Sequence, residues 1–119
     1  MVLAILFLVL GGSQAARADI SEMVKGHLSA DGKTLDLSGE KIGPEGAAEL
    51  AKMEILSGLT TLVLQGNGIK ASGMLALGRS KYLAKLKNLD LWGNMLGDDG
   101  VLSLVESPYL KNLEVLKLW

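Results

Sequence analysis

The chain has 119 residues, of which 49% are hydrophobic and 4% aromatic, and its 12 basic and 13 acidic residues leave a formal net charge of -1. This length allows one small domain, and the near-neutral charge provides no basic surface for nucleic acid or an anionic membrane. Because the chain has no cysteine and one histidine, disulfides, cysteine nucleophiles, iron–sulfur clusters and ordinary Cys/His zinc sites are excluded.

The N-terminus is typical of an export signal. An apolar run from Met1 to Leu10 is followed by small residues that end in Ala16-Arg17-Ala18. The run is too short for a membrane-spanning helix, which needs roughly 20 apolar residues, and a small-x-small motif is what signal peptidase accepts. We therefore expect residues 1–18 to be a signal peptide and the protein to be secreted or periplasmic. Since no basic residue precedes the run, the alternative is a misassigned start or a buried N-terminal strand in a cytoplasmic protein.

Residues 19–33 are predicted to form an N-terminal capping helix and turn. Ile20, Met23, Val24 and Leu28 recur at the spacing of one helical face. The Ala-Asp-Gly sequence at 30–32 then indicates a turn into an extended segment. We interpret the helix as a cap, because the first unit of a stacked array needs an amphipathic cover for its open end.

From Thr34 onward the sequence repeats itself at a fixed interval of 27 residues, without an insertion. Fixed periods of 20 to 50 residues are the signature of solenoids and related arrays. Seven columns keep the interval: Leu35, Leu62, Leu89 and Leu116; Leu37, Leu64, Leu91 and Leu118; Ile42, Ile69 and Leu96; Gly46, Gly73 and Gly100; Leu50, Leu77 and Leu104; Leu56, Leu83 and Leu110; Leu59, Leu86 and Leu113.

Each unit changes its hydrophobic period midway. The Leu-x-x-Leu-x-Leu segment alternates at period two, which predicts a short strand with leucines inward, and a turn rich in glycine and asparagine follows. The second half has helical spacing, at Ala47, Leu50 and Ala51, at Met74 and Leu77, and at Val101, Leu104 and Val105. Pro44 suits the first turn of the first such helix, and Asp98 is a candidate cap for the third. The pattern predicts an α/β fold, a right-handed βα solenoid with adjacent parallel strands.

The segment Leu89-Asp90-Leu91-Trp92-Gly93-Asn94, continuing to Gly97-Asp98-Asp99-Gly100, resembles the leucine-rich repeat. It is most similar to the ribonuclease-inhibitor-like class of this family, in the form found in long bacterial arrays. The resemblance covers residues 34–119 and implies a horseshoe segment with a concave parallel sheet and convex helices. Glu40 departs from the family's asparagine, which stands at Asn67 and Asn94.

The resemblance implies a protein partner bound on the concave sheet and no cofactor. Residues that alternate with the strand leucines face that surface, and exposed tryptophan is the type most enriched at binding hot spots. We expect Trp92 and Trp119 to lie side by side in neighbouring units, with Asp90 and Lys117 as rim contacts. The candidate protein-binding residues are Trp92, Trp119, Gln65, Val63, Asp90 and Lys117. The alternative is that the tryptophans pack on each other as part of the repeat and bind nothing.

The residues do not predict an enzyme or a metal site. His27 has no cysteine or second histidine with which to share a metal, and no spacing links it to a serine nucleophile. The glycines between Gly66 and Gly73 match neither the dinucleotide-binding nor the Walker spacing. We expect no nucleic acid partner and no membrane contact beyond the signal segment.

The fourth unit stops at Trp119, directly after its strand. An unpaired strand edge is a template for another chain. We expect the sequence to be the front part of a longer array. The alternatives are that the edge pairs with a partner or with a second copy, or that the domain is marginally stable. Two other functions follow: a structural solenoid that self-associates through this edge, or a targeting module for a downstream enzyme domain.

Overall fold

The computed structural model describes residues 19–119, so the predicted signal peptide at residues 1–18 lies outside the described part. Residues 19–27 belong to helix α1. Strands and helices then alternate, with a 3-10 segment after each of α2 and α3. The elements are β1 (Thr34–Asp36), α2 (Gly43–Ala51), a 3-10 segment (Glu54–Gly58), β2 (Thr61–Val63), α3 (Lys70–Gly78), a second 3-10 segment (Lys81–Leu83), β3 (Asn88–Asp90), α4 (Gly97–Val105) and β4 (Val115–Lys117).

The four strands form one parallel sheet in the order β1-β2-β3-β4. Leu35, Leu62, Leu89 and Leu116 are register partners across the sheet, so the 27-residue column of the sequence is a row across neighbouring strands. Each strand has three residues, because the chain turns away toward the helix layer immediately after the second inward leucine. The predicted α/β architecture, a βα solenoid with a parallel sheet, is confirmed.

The core lies between the sheet and the helices. The two strand leucines of each of the first three units are buried, and so are the matching helix residues. Val105 is an exception and corrects the prediction that it faces inward, since 71% of its surface is exposed. The equivalent positions Ala51 and Gly78 are buried. Gly78 packs against α4, while Val105 has no following helix within the described residues.

A glycine in each helix allows the helices to pack closely. A Cβ atom on Gly73 would lie 2.5 Å from Ile69 Cγ2 and 3.1 Å from Ala47 Cβ. Gly46 and Gly100 occupy the same column and leave equally little room. Any larger side chain would push α2 and α3 apart, so the column of glycines sets the spacing between consecutive units.

Helix α1 covers the open side of the first unit. Ile20 and Val24 are buried in the core, and Ile20 Cδ1 lies 3.2 Å from the position of a Cβ on Gly46. After the helix, Leu28 forms an antiparallel bridge with Leu35 of β1. The edge of β1 that faces away from β2 is therefore partly covered.

Asparagine side chains join consecutive units. Asn67 Nδ2 donates hydrogen bonds to the carbonyl oxygens of Leu37 and Leu64, at 2.8 and 3.0 Å. Asn67 Oδ1 accepts the N–H of Ile42 at 3.3 Å. Asn94 makes the equivalent contacts one unit later, including a 2.7 Å bond to the Leu64 carbonyl. Because both side chains are buried, these bonds satisfy backbone groups that water does not reach.

The first unit ends this asparagine ladder with Glu40. Glu40 Oε1 lies 3.1 Å from Nε2 of His27 in α1. No unit precedes the first one within the described residues, so an amide at this position would have no strand carbonyl behind it. The carboxylate instead contacts the capping helix, which explains the departure from asparagine.

The prediction that Asp98 caps α4 is wrong, whereas Pro44 does lie in the first turn of α2. Helix α4 begins at Gly97, its N-cap residue is Leu96, and no side chain caps it. Helices α2 and α3 show why a side-chain cap is dispensable in this fold. The first N–H of α2, on Gly43, donates to the Asn67 carbonyl at 2.9 Å, and that of α3 donates to the next unit in the same way.

We expect Asn67→Ala to lower the free energy of unfolding by roughly 2–3 kcal/mol, because it leaves a buried N–H and a buried carbonyl without their amide partner. Urea denaturation followed by circular dichroism measures this loss. The matched control is Asn112→Ala, which removes one exposed bond to the Ala84 carbonyl and should cost at most about 1 kcal/mol. Equal losses in the two variants would contradict the role of the ladder.

We expect Lys70→Gly to stabilise the fold by roughly 0.5–1 kcal/mol. Lys70 has a φ of 60°, and the equivalent residues Gly43 and Gly97 have φ of 66° and 64°. A non-glycine residue in this left-handed region costs about 1–2 kcal/mol, which exceeds the entropy cost of glycine. Thermal denaturation should show a higher midpoint. Ala48→Gly, inside α2, is the control and should lower it.

Candidate functional site

The concave surface of the sheet is formed by residues that alternate with the buried leucines. Val63, Asp90 and Lys117 are register neighbours on β2, β3 and β4. Two positions later in each unit stand Gln65, Trp92 and Trp119. The six candidate residues of the sequence analysis therefore form two adjacent columns across three strands.

The structure brings these residues together around two cavities that share Asp90 and Lys117. The larger cavity has a volume of about 390 Å³, and five of the six candidates line it: Gln65, Asp90, Trp92, Lys117 and Trp119. Val63 lines the smaller cavity, of about 210 Å³, beside Thr61 and Asn88. We call the larger cavity the concave cavity.

Asp90 lies at the centre of this arrangement and not at its rim, which corrects the prediction. Only 7% of its surface is exposed. Gln65 Nε2 donates a 2.6 Å hydrogen bond to Asp90 Oδ2, and the backbone N–H of Trp92 donates to Oδ1 at 3.1 Å. Lys117 Nζ lies 3.6 Å from Oδ2. The carboxylate is buried because side chains from both neighbouring strands reach over it.

The two tryptophans are exposed, at 57% for Trp92 and 86% for Trp119. Both line the concave cavity, and both also line a third cavity of about 310 Å³ at the C-terminal end of the sheet. The walls of that third cavity are otherwise mainly apolar and include Met95, Val101 and Leu118. The indoles thus stand between the concave surface and the end of the solenoid.

Asp36 occupies the position of Asp90 in the first unit and uses the same local geometry. Its Oδ1 accepts the hydroxyl of Ser38 at 2.6 Å and the N–H of Ser38 at 2.9 Å. These two bonds, the hydroxyl first, hold the pKa of Asp36 below its usual value. The carboxylate in this column therefore fixes the turn that follows the strand, and in β3 the same role orients Asp90 within the cavity.

The sequence analysis missed a second set of bonds between units on the helix side. Ser80 Oγ donates to the Ala51 carbonyl at 2.6 Å, and Ser107 Oγ donates to the Gly78 carbonyl at 2.5 Å. The two serines are 27 residues apart, so the interval itself was the signal that could have identified them. They join the end of one helix to the following unit and do not belong to the cavities.

The described residues contain no cluster of three or more histidine or acidic side chains that could hold a metal ion. No helix in residues 19–119 has the length and apolar composition needed to span a membrane. His27, which the sequence places on the apolar side of α1, is partly exposed and contacts Glu40. The arrangement around Asp90 is therefore a recognition surface of polar and aromatic groups.

Comparison with protein families gives one match. The family described as Leucine Rich repeat matches residues 33–51, 59–78 and 82–105, which together make up more than half of the chain. The protein belongs to the leucine-rich-repeat family. No individual curated protein matches it significantly. Leucine-rich repeats generally mediate protein binding and are typically interaction modules without enzymatic activity.

Proposed function

We propose that this leucine-rich-repeat protein is exported and binds a protein partner through its concave sheet, at the surface formed by Trp92, Trp119 and the buried Asp90. The observation that supports this proposal is the convergence of two exposed indoles and a polar cluster on one cavity. We also assign the repeats to the ribonuclease-inhibitor-like class, on the support of an α-helix of nine residues in each of the three complete units.

Exposed tryptophan side chains favour binding because they offer a large apolar area that loses little conformational entropy when it is covered. In this site they stand beside a cavity whose floor is already ordered. Gln65 and the backbone of Trp92 hold the Asp90 carboxylate before any partner arrives. A preorganised floor lowers the cost of binding, since fewer groups have to be immobilised on association.

We expect Trp92→Ala to abolish capture of the partner while the circular dichroism spectrum remains unchanged. Loss of a hot-spot tryptophan costs about 2 kcal/mol or more, which is at least tenfold in affinity. The measurement is affinity capture from an extract of the native source with the immobilised full chain, followed by quantitative mass spectrometry. Leu75→Ala, which removes an exposed apolar residue from α3, is the control and should retain capture.

Undiminished capture by Trp92→Ala would contradict the proposal, because the indole would then be part of the repeat without a role in binding. Trp119→Ala provides an independent variant of the same column. Loss of capture in both tryptophan variants and not in Leu75→Ala would tie the activity to the concave side of the sheet.

The export proposal rests on the apolar run at Met1 to Leu10 and on the small residues that end at Ala18. We expect the protein expressed in its native host to begin at Asp19 and to be recovered outside the cytoplasm. Intact mass and N-terminal sequencing measure this. Ala18→Arg should block the cleavage, because the peptidase requires a small residue there. A mature protein that retains Met1 to Ala18 in the cytoplasm would refute export.

Self-association is a second candidate function, favoured by the apolar groups beside β4. Leu116, Val115 and Met95 are exposed, and β4 pairs with β3 and has no strand on its other side within the described residues. Because a bare edge offers unpaired N–H and carbonyl groups, a second copy can extend the sheet there. Such pairing would also cover the third cavity.

We expect self-association to appear as a mass that rises with concentration in light scattering of the full chain. Leu118→Lys, which places a charge beside the edge of β4, should prevent the rise. Leu75→Lys carries the same charge on the helix layer and should leave it unchanged. A monomeric mass at all concentrations would eliminate this candidate and leave the concave sheet as the binding surface.

A further inference from the structure

We propose that the concave cavity takes a positively charged side chain of the protein partner, above all the guanidinium group of an arginine, which replaces Lys117 beside Asp90. This inference rests on the proposed function, since it specifies what the partner presents to the same surface. It follows from three features of the cavity: a carboxylate on its floor, indoles in its walls, and a loosely held ammonium group at its mouth.

The floor of the cavity carries a negative charge that the protein itself only partly satisfies. Asp90 Oδ2 accepts one hydrogen bond, from Gln65, and Oδ1 accepts one, from the N–H of Trp92. An ionised carboxylate has about four acceptor positions, so two positions are left for an incoming donor. Arginine presents a planar fork of N–H groups that suits such a carboxylate.

The walls of the cavity favour a cation and disfavour an anion. Trp92 and Trp119 both line it, and the face of an indole attracts a cation through its quadrupole. A guanidinium group also stacks on an aromatic ring, and its weak hydration makes desolvation less costly than for an ammonium group. An anionic side chain would meet the indole faces and the Asp90 carboxylate together.

Lys117 occupies the place that the incoming cation would take. Its Nζ lies 3.6 Å from Asp90 Oδ2, beyond the 2.7–2.9 Å of a charge-assisted hydrogen bond. The lysine side chain is 65% exposed, so it can swing into solvent at little cost. Lys117 therefore acts as an internal competitor that neutralises Asp90 while the cavity is empty.

Nuclear magnetic resonance tests the proposal directly, because the chain has two tryptophans and so gives two indole N–H signals. The ¹⁵N-labelled full chain is titrated with acetyl-Gly-Arg-Gly-amide and, over the same concentrations, with the matched Gln and Glu peptides. We expect the arginine peptide to shift both indole signals saturably, and the other two peptides to shift neither. Trp92→Phe assigns the signals.

Two variants test the chemistry. Asp90→Asn should weaken binding of the arginine peptide about tenfold or more, while Lys117→Gln, on an exposed residue, should strengthen it severalfold by removing the competitor. The rest of the ¹⁵N spectrum reports whether either variant is folded. A purely structural role of Lys117 does not predict tighter binding when it is replaced.

The proposal is overturned if the glutamate peptide shifts the indoles as strongly as the arginine peptide, if no peptide shifts them, or if Lys117→Gln fails to strengthen binding. These results differ from a failure of the proposed function. Capture that depends on Trp92 but not on Asp90 would leave the concave binding site in place and refute only its preference for a cation.

Discussion

The hydrogen bonds from one unit to the next are the constraint on which the rest of the structure depends. A strand of three residues offers few backbone bonds of its own, so the bend that follows it leaves N–H and carbonyl groups inside the protein. Asn67 and Asn94 satisfy these groups in two units at once, and no buried side-chain nitrogen or oxygen in residues 19–119 lacks a partner. Because each unit completes the preceding one, the units fold as a cooperative stack.

The two ends of the described array differ for the same reason. At the first unit, Glu40 contacts His27, and helix α1 covers the core where an earlier unit would pack. At the fourth unit, β4 presents its outer edge, and Trp119, Met95 and Val105 are exposed. The concave cavity lies near this second end, where the sheet is formed by β3 and β4 and the side chains around it are least crowded by neighbours.

The repeat interval was enough to predict the strand register and the parallel sheet, because leucines that recur every 27 residues must occupy equivalent places in equivalent units. Features that depend on the neighbouring unit were not predictable from one segment. Asp90 is buried because Gln65 and Lys117 reach over it from adjacent strands. Asp98 does not cap α4, and a helix start in this array is closed by backbone carbonyls of the next unit, as at Gly43.

Function in such an array depends on where the residues depart from the repeat. The column that contains Asp36 continues with Val63, Asp90 and Lys117, so opposite charges become neighbours only between β3 and β4. In β1 the carboxylate serves the turn through Ser38, whereas in β3 the same geometry holds Asp90 below two indoles. The fold thus fixes the position of the carboxylate, and the residues beside it, which differ from unit to unit, convert a turn-forming side chain into a site for a charged ligand.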